Sequence, residues 1–179
     1  MNKLIIISLL IFNVILANAQ KQKSANYYFQ EGNNCMNAMP GMLRAERINQ
    51  SVQYFSKAIN INDKFWQAYR NRGRAYYFLH QYQKALLDFN KTLQLTDEKI
   101  NPDLLLWRGR CLYELKLYDK AIRDFDRSIQ LSGNADYIYF CRAKAHWKLG
   151  NFKKACLDYN KAVNGSPEYS KEIDFIKCN

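Results

Sequence analysis

One stretch of this chain comes back at a fixed distance. The run Tyr69–Tyr76 (YRNRGRAY) returns at Leu105–Leu112 (LLWRGRCL) and again at Tyr139–His146 (YFCRAKAH), at offsets of 36 and 34 residues. A second block keeps the same period. Tyr82-Gln83-Lys84-Ala85 with Asp88-Phe89 matches Tyr118-Asp119-Lys120-Ala121 with Asp124-Phe125, and then Phe152-Lys153-Lys154-Ala155 with Asp158-Tyr159. A looser first copy runs from Tyr28-Phe29-Gln30-Glu31-Gly32 to Tyr54-Phe55-Ser56-Lys57-Ala58, its two halves spread by an insertion that contains Pro40-Gly41. Self-similarity at this period means one small unit repeated side by side.

Within each copy the large apolar residues recur every three or four positions, as in Tyr69, Gly73 and Tyr76 or Ala85, Phe89 and Thr92, the spacing of one helical face. Each copy is therefore read as a helical hairpin. Gly32, Gly73, Gly109 and Ala143 face small residues at 51, 85, 121 and 155, so two backbones approach closely while an aromatic fills the adjoining hole. A lone glycine inside a helix costs about 1 kcal/mol against alanine, so its return in register has a steric reason. Asn101-Pro102-Asp103 and Ser166-Pro167-Glu168 read as N-cap, first-turn proline and first-turn acid.

The pattern resembles the tetratricopeptide repeat (TPR) family, over about residues 25 to 177. The resemblance implies an all-α, right-handed solenoid of about four hairpins, at about 25–63, 66–99, 102–133 and 136–166, closed by a capping helix at 167–177. It also implies a concave face lined by one stripe of each first helix, where the family holds a peptide. On this chain the stripe is Phe29, Asn33 and Met36; Arg70, Arg74 and Tyr77; Leu106, Arg110 and Tyr113; and Phe140, Lys144 and Trp147. Cations beside aromatics suit a protein or peptide carrying carboxylates and aromatic side chains. The family's carboxylate-gripping groove is matched by Asn33 and Asn71, whereas Phe29, Asp103 and Trp107 stand in its other slots, which disfavours a role in holding heat-shock protein tails.

A polar pair recurs beside the packing positions. Arg72, Arg108 and Arg142 flank the small residue of the first helix, and Asp88, Asp124 and Asp158 flank the aromatic of the second. A half-buried Arg needs a carboxylate. The expected ladder joins each Asp to the Arg of the following repeat, with pairing inside one repeat as the alternative.

Residues 1–19 are read as a removable leader: Met1-Asn2-Lys3, a mostly apolar stretch from Leu4 to Leu16, and a small-x-small site at Ala17-Asn18-Ala19. The expected product is exported, periplasmic or secreted, with no stable membrane anchor after cleavage. Export makes five cysteines meaningful. Cys156 with Cys178 and Cys111 with Cys141 are the candidate disulfides, and Cys35 is expected to be a buried thiol.

Two histidines, no Gly-rich phosphate loop and no close cysteine pair give no basis for an enzyme, a cofactor or a metal. A net charge of +11 favours polyanions, but export removes the usual nucleic-acid partners and none is expected. The leading expectation is an exported bacterial adaptor for cell-envelope assembly. Its rival is a basic module that holds envelope polyanions or an anionic membrane surface nonspecifically.

Overall fold

The computed structural model describes residues 24–37, 44–96, 101–132, 135–171 and 178; the leader expected at 1–19 lies outside them. Among the described residues there are eight α-helices and no strand. They are α1 (Ala25–Asn37), α2 (Arg44–Ile61), α3 (Trp66–Phe78), α4 (Tyr82–Thr96), α5 (Pro102–Glu114), α6 (Tyr118–Leu131), α7 (Asp136–Lys148) and α8 (Phe152–Gly165). Local chemistry sets the limits. Asn101 caps α5 by accepting the Asp103 N–H at 2.8 Å, with Pro102 in the first turn. The later hairpins turn on a left-handed residue at one register, His80, Lys116 and Gly150. In each, the next N–H reaches back five residues, as from Gln81 to the Tyr76 carbonyl at 2.9 Å, closing the helix as a Schellman turn.

Each hairpin packs first helix on second, and each second helix packs on the first helix of the next repeat. Successive first helices also touch (α1 with α3, α3 with α5, α5 with α7), and no comparable contact joins the second helices among the described residues. The array therefore curves with the first helices on its inner side.

The hole made by glycine is filled as the spacing requires. Phe55, Phe89 and Phe125 are fully buried, and a Cβ built on Gly32, Gly73 or Gly109 would lie 2.5, 2.8 or 2.6 Å from the facing ring. The fourth hairpin uses the buried Ala143, with Tyr159 only partly buried in the same core.

The ladder closes inside each repeat, not onto the following one. Arg72 donates to both Asp88 oxygens at 2.8 Å, Arg108 to Asp124 at 2.7 and 2.6 Å, and Arg142 to Asp158 at 2.7 Å twice. The two residues face each other across the hairpin, so the guanidinium fork meets its own repeat's carboxylate bidentately. The third donor reaches the preceding second helix: Nη1 of Arg72 binds Ser56 at 3.0 Å, that of Arg108 binds Asn90 at 3.2 Å, and that of Arg142 binds Asp126. Each arginine thus ties a hairpin together and ties it to its neighbour.

Beside the last rung sits His146, buried at 8% exposure, with Nδ1 lacking a hydrogen-bond partner. Burial holds its pKa below the ordinary histidine value; Asp158 and Asp126 oppose this, while Arg142 and Lys154 add to it.

Of the expected capping helix at 167–177, only the start lies within the described residues. Pro167–Lys171 is one 3₁₀ turn, and residues 172–177 lie outside the described residues. Tyr169 covers the end of the core, with its ring 4.9 Å from Phe140 and 6.0 Å from Tyr137.

Cys156 and Cys178 are joined, with Cα atoms 5.5 Å apart. Cys111 and Cys141 remain thiols in two different core clusters, which corrects the second candidate bridge. Cys111 stands two residues after Gly109 and Cys141 two before Ala143, so on parallel first helices they are offset by a full turn, about 6 Å of rise. Cys35 is a half-buried thiol rather than a fully buried one.

Two predictions follow from the ladder. Arg108→Met strands the buried Asp124 and should lower stability in urea unfolding by about 3 kcal/mol; adding Asp124→Leu should recover most of the loss, because no charge is then left uncompensated. The folded chain favours neutral His146, so its contribution is complete above the unfolded value of about 6.5 and is lost as pH falls below it. Melting temperatures measured from about pH 7.5 to about pH 5.5 should drop more steeply for the parent than for His146→Phe.

Candidate functional site

The first helices hold two kinds of arginine. Arg72, Arg108 and Arg142 are bound to carboxylates. Arg74 and Arg110, each two residues further along its helix, form no ion pair among the described residues and lie on aromatic faces instead. The Arg110 guanidinium is 4.3 Å from the Trp107 ring centre, 4.6 Å from Tyr77 and 5.5 Å from Tyr137. Arg74 lies 5.0 Å above Trp107, and its buried Nε has no hydrogen-bond partner. Lys144 repeats the arrangement one unit on, 5.4 Å from Tyr113 and 5.6 Å from Phe140. A cation over a ring keeps its charge and its N–H donors for something else.

The aromatic column is braced from behind. Tyr77 meets Tyr82 at 5.5 Å, Tyr113 meets Tyr118 at 5.4 Å and Trp147 meets Phe152 at 4.6 Å. Each pair joins the end of a first helix to the first residue of the second, so the hairpin turn itself fixes the ring.

Between the third and fourth hairpins lies a cavity of about 50 Å³. Tyr77, Arg110, Tyr113, Tyr137, Phe140 and Lys144 are among its lining residues. Its size suits a side-chain tip or a few waters and is far below that of a cofactor pocket. Burial raises the pKa of Tyr77 against the opposing Arg110 charge, pushes Tyr113 up to about 12 and raises Tyr137 as well. The phenols stay neutral at ordinary pH and present O–H donors beside the two cations.

Of the expected stripe, Asn33, Arg70, Arg74, Tyr77, Arg110, Tyr113, Lys144 and Trp147 are half-buried on the first helices. Phe140 is the correction. At 4% exposure it belongs to the core and forms the cavity's floor, because Tyr137 and Tyr169 stack on it. Asn33 and Asn71 satisfy each other, with the Asn71 amide donating to the Asn33 carbonyl at 2.7 Å. Arg70 donates weakly to Asn71 at 3.4 Å, and burial lowers its pKa against the nearby Asp103. Those side chains are turned toward one another rather than set out to grip a terminal carboxylate.

Trp107 and Tyr137 were missed. Trp107 is nearly buried, and its Nε1 donates to Asp103 at 3.1 Å. The signal was present: Asp103 stands four residues before it on one helix, and a bulky ring occupies the register held by Asn71 and Cys141. Among the described residues, no group of three or more His, Cys, Asp or Glu could hold a metal, and no helix is long and apolar enough to cross a membrane.

Two family models described as tetratricopeptide repeat match residues 70–136 and 137–169, together more than half of the 179 residues. Among solved structures, YrrB, described as a TPR protein with an unusual peptide-binding site, aligns with a TM-score of 0.70 at 18% identity, covering 88% of this chain and 76% of that one. MamA aligns at 0.70 and 17% identity, covering 89% and 86%. The first TPR of Spaghetti (RPAP3), bound to the HSP90 peptide SRMEEVD, aligns at 0.62 and 18%, covering 71% and 94%. At such identities the likeness shows the fold alone. A UDP-N-acetylglucosamine–peptide N-acetylglucosaminyltransferase of Giardia intestinalis (strain ATCC 50803 / WB clone C6) is 40% identical over 55 residues, which are 30% of this chain and 4% of that protein. The chain thus spans a small fraction of that relative's length.

Proposed function

The chain belongs to the tetratricopeptide repeat family, and from that premise we propose that it is a non-catalytic scaffold holding a protein or peptide partner on its inner face. One observation carries the reading. Arg74, Arg110 and Lys144 have no carboxylate partner among the described residues and rest on Tyr77, Trp107, Tyr113 and Phe140, whereas Arg72 and Arg108, two positions before the first two, are bound to Asp88 and Asp124. A partner segment with acidic side chains completes those charges, and its aromatic or apolar side chains pack on the half-buried Tyr77 and Tyr113 rings. Peptide-holding relatives of the same fold support the class of ligand.

The setting is an exported chain, periplasmic or secreted, that assembles envelope complexes. The leader-like Met1–Ala19 segment supports it, and so does the Cys156–Cys178 bridge, a bond that persists in oxidising compartments.

Peptides selected on the chain from a random display library test this reading. They should be enriched in Asp or Glu beside Tyr, Phe or Trp. A selected peptide should lose at least tenfold in affinity to Arg110→Glu, about 1.4 kcal/mol, with an unchanged circular dichroism spectrum. Selected peptides without acids, or with undiminished affinity for Arg110→Glu, would contradict the assignment.

A further inference from the structure

The second helices carry a charge pattern that the inner groove does not use. Lys84, Lys120 and Lys154 occupy one register on α4, α6 and α8, immediately before the small packing residues Ala85, Ala121 and Ala155. Seven residues further along the same helices stand Lys91, Arg127 and Lys161. Seven residues are two helical turns, so both cations of each helix share one face about 10.5 Å apart. Except for the half-buried Lys91, all of them are exposed, and Arg123 is exposed between the two positions on α6. Lys57 extends the second register onto α2.

The acids of these helices do not neutralise that face. Asp88, Asp124, Asp126 and Asp158 are held by Arg72, Arg108 and Arg142, which leaves Asp119, in the first turn of α6, as the remaining carboxylate of α4, α6 and α8. The ladder turns Asp88, Asp124 and Asp158 of α4, α6 and α8 inward and ties the more exposed Asp126 to Arg142, leaving the cations outside. Because the first helices are on the inner side of the curve, the cation rows fall on the outer one.

We infer that this outer face binds a flexible, linear polyanion, a polymer bearing phosphate or carboxylate groups along its length. The charges form two rows at the repeat's own spacing, the first crossing the last three repeats and the second all four. Lys84, Lys161 and Lys57 lie over the rings of Tyr76, Tyr139 and Tyr54, contacts that leave their charge in place, and rows of such cations attract a polyanion through release of its counterions. A curved face also suits a polymer that can follow it better than a flat bilayer. The assignment goes beyond the groove reading and is independent of it: one face takes a folded or peptide partner, the other a polymer.

The test is a titration of the full chain with long-chain inorganic polyphosphate and, separately, with poly-L-glutamate, over a range of sodium chloride concentrations. Binding should be seen, with affinity falling linearly with salt on logarithmic axes. A variant with Lys84→Gln, Lys120→Gln, Lys154→Gln and Arg127→Gln should bind at least tenfold more weakly with a shallower salt slope. A variant with Arg74→Gln, Arg110→Gln and Lys144→Gln should bind like the parent. Preference between the two polymers assigns phosphate or carboxylate as the ligand group. Equal losses in both variants, no loss in the first, or binding only to phosphatidylglycerol vesicles and to neither polymer would each overturn the inference.

Discussion

A phenylalanine ring pressed against a helix that has no Cβ at the point of contact is what the rest of this molecule depends on. Phe55, Phe89 and Phe125 are fully buried against Gly32, Gly73 and Gly109. That contact sets how closely two helices of a hairpin approach. The hairpin's width then sets where its second helix meets the next first helix, so a local steric fit propagates into a curved array. Repeats of this kind bury their apolar surface only against their neighbours.

Charge is sorted by the same geometry. The arginine beside each packing position is pulled into the hairpin by an aspartate and reaches through to the preceding repeat. For Arg142, burial works against the charge, but Asp158 and Asp126 outweigh it and hold the guanidinium protonated above its ordinary range. Two residues along α3 and α5, the arginine points to the inner surface and finds rings instead of acids. Structural and ligand-facing cations thus differ by a rotation of about 200° around one helix, with nothing in residue type to tell them apart.

That explains what could be read in advance and what could not. The hairpins, their period and the glycine holes follow from spacing, because 3.6-residue periodicity places side chains on faces, and the inner stripe is what the family resemblance implies. The partner of Arg108 does not, since Asp124 in the same repeat and Asp88 in the one before are equally available on a linear map, and only the guanidinium's orientation across the hairpin decides between them. Phe140 shares the stripe's register yet is core, because Tyr169 closes over it from beyond the last hairpin. Trp107 was hidden by its neighbours: its register holds an asparagine in one repeat and a cysteine in another, so averaging over copies conceals a ring on which two arginines converge. Cys111 and Cys141 were misjudged by four residues of register, a full turn on adjacent helices.

The central claim is that the returning glycines are there for the ring and not for flexibility, and equilibrium urea unfolding of Gly109→Ala tests it most directly because two effects carry opposite signs. Helix propensity alone would stabilise the chain by about 1 kcal/mol, whereas a Cβ 2.6 Å from Phe125 forces a buried ring to move, at a cost of about 1–3 kcal/mol. A net loss of stability, with the unfolding slope unchanged, is the predicted result; a gain would contradict the account.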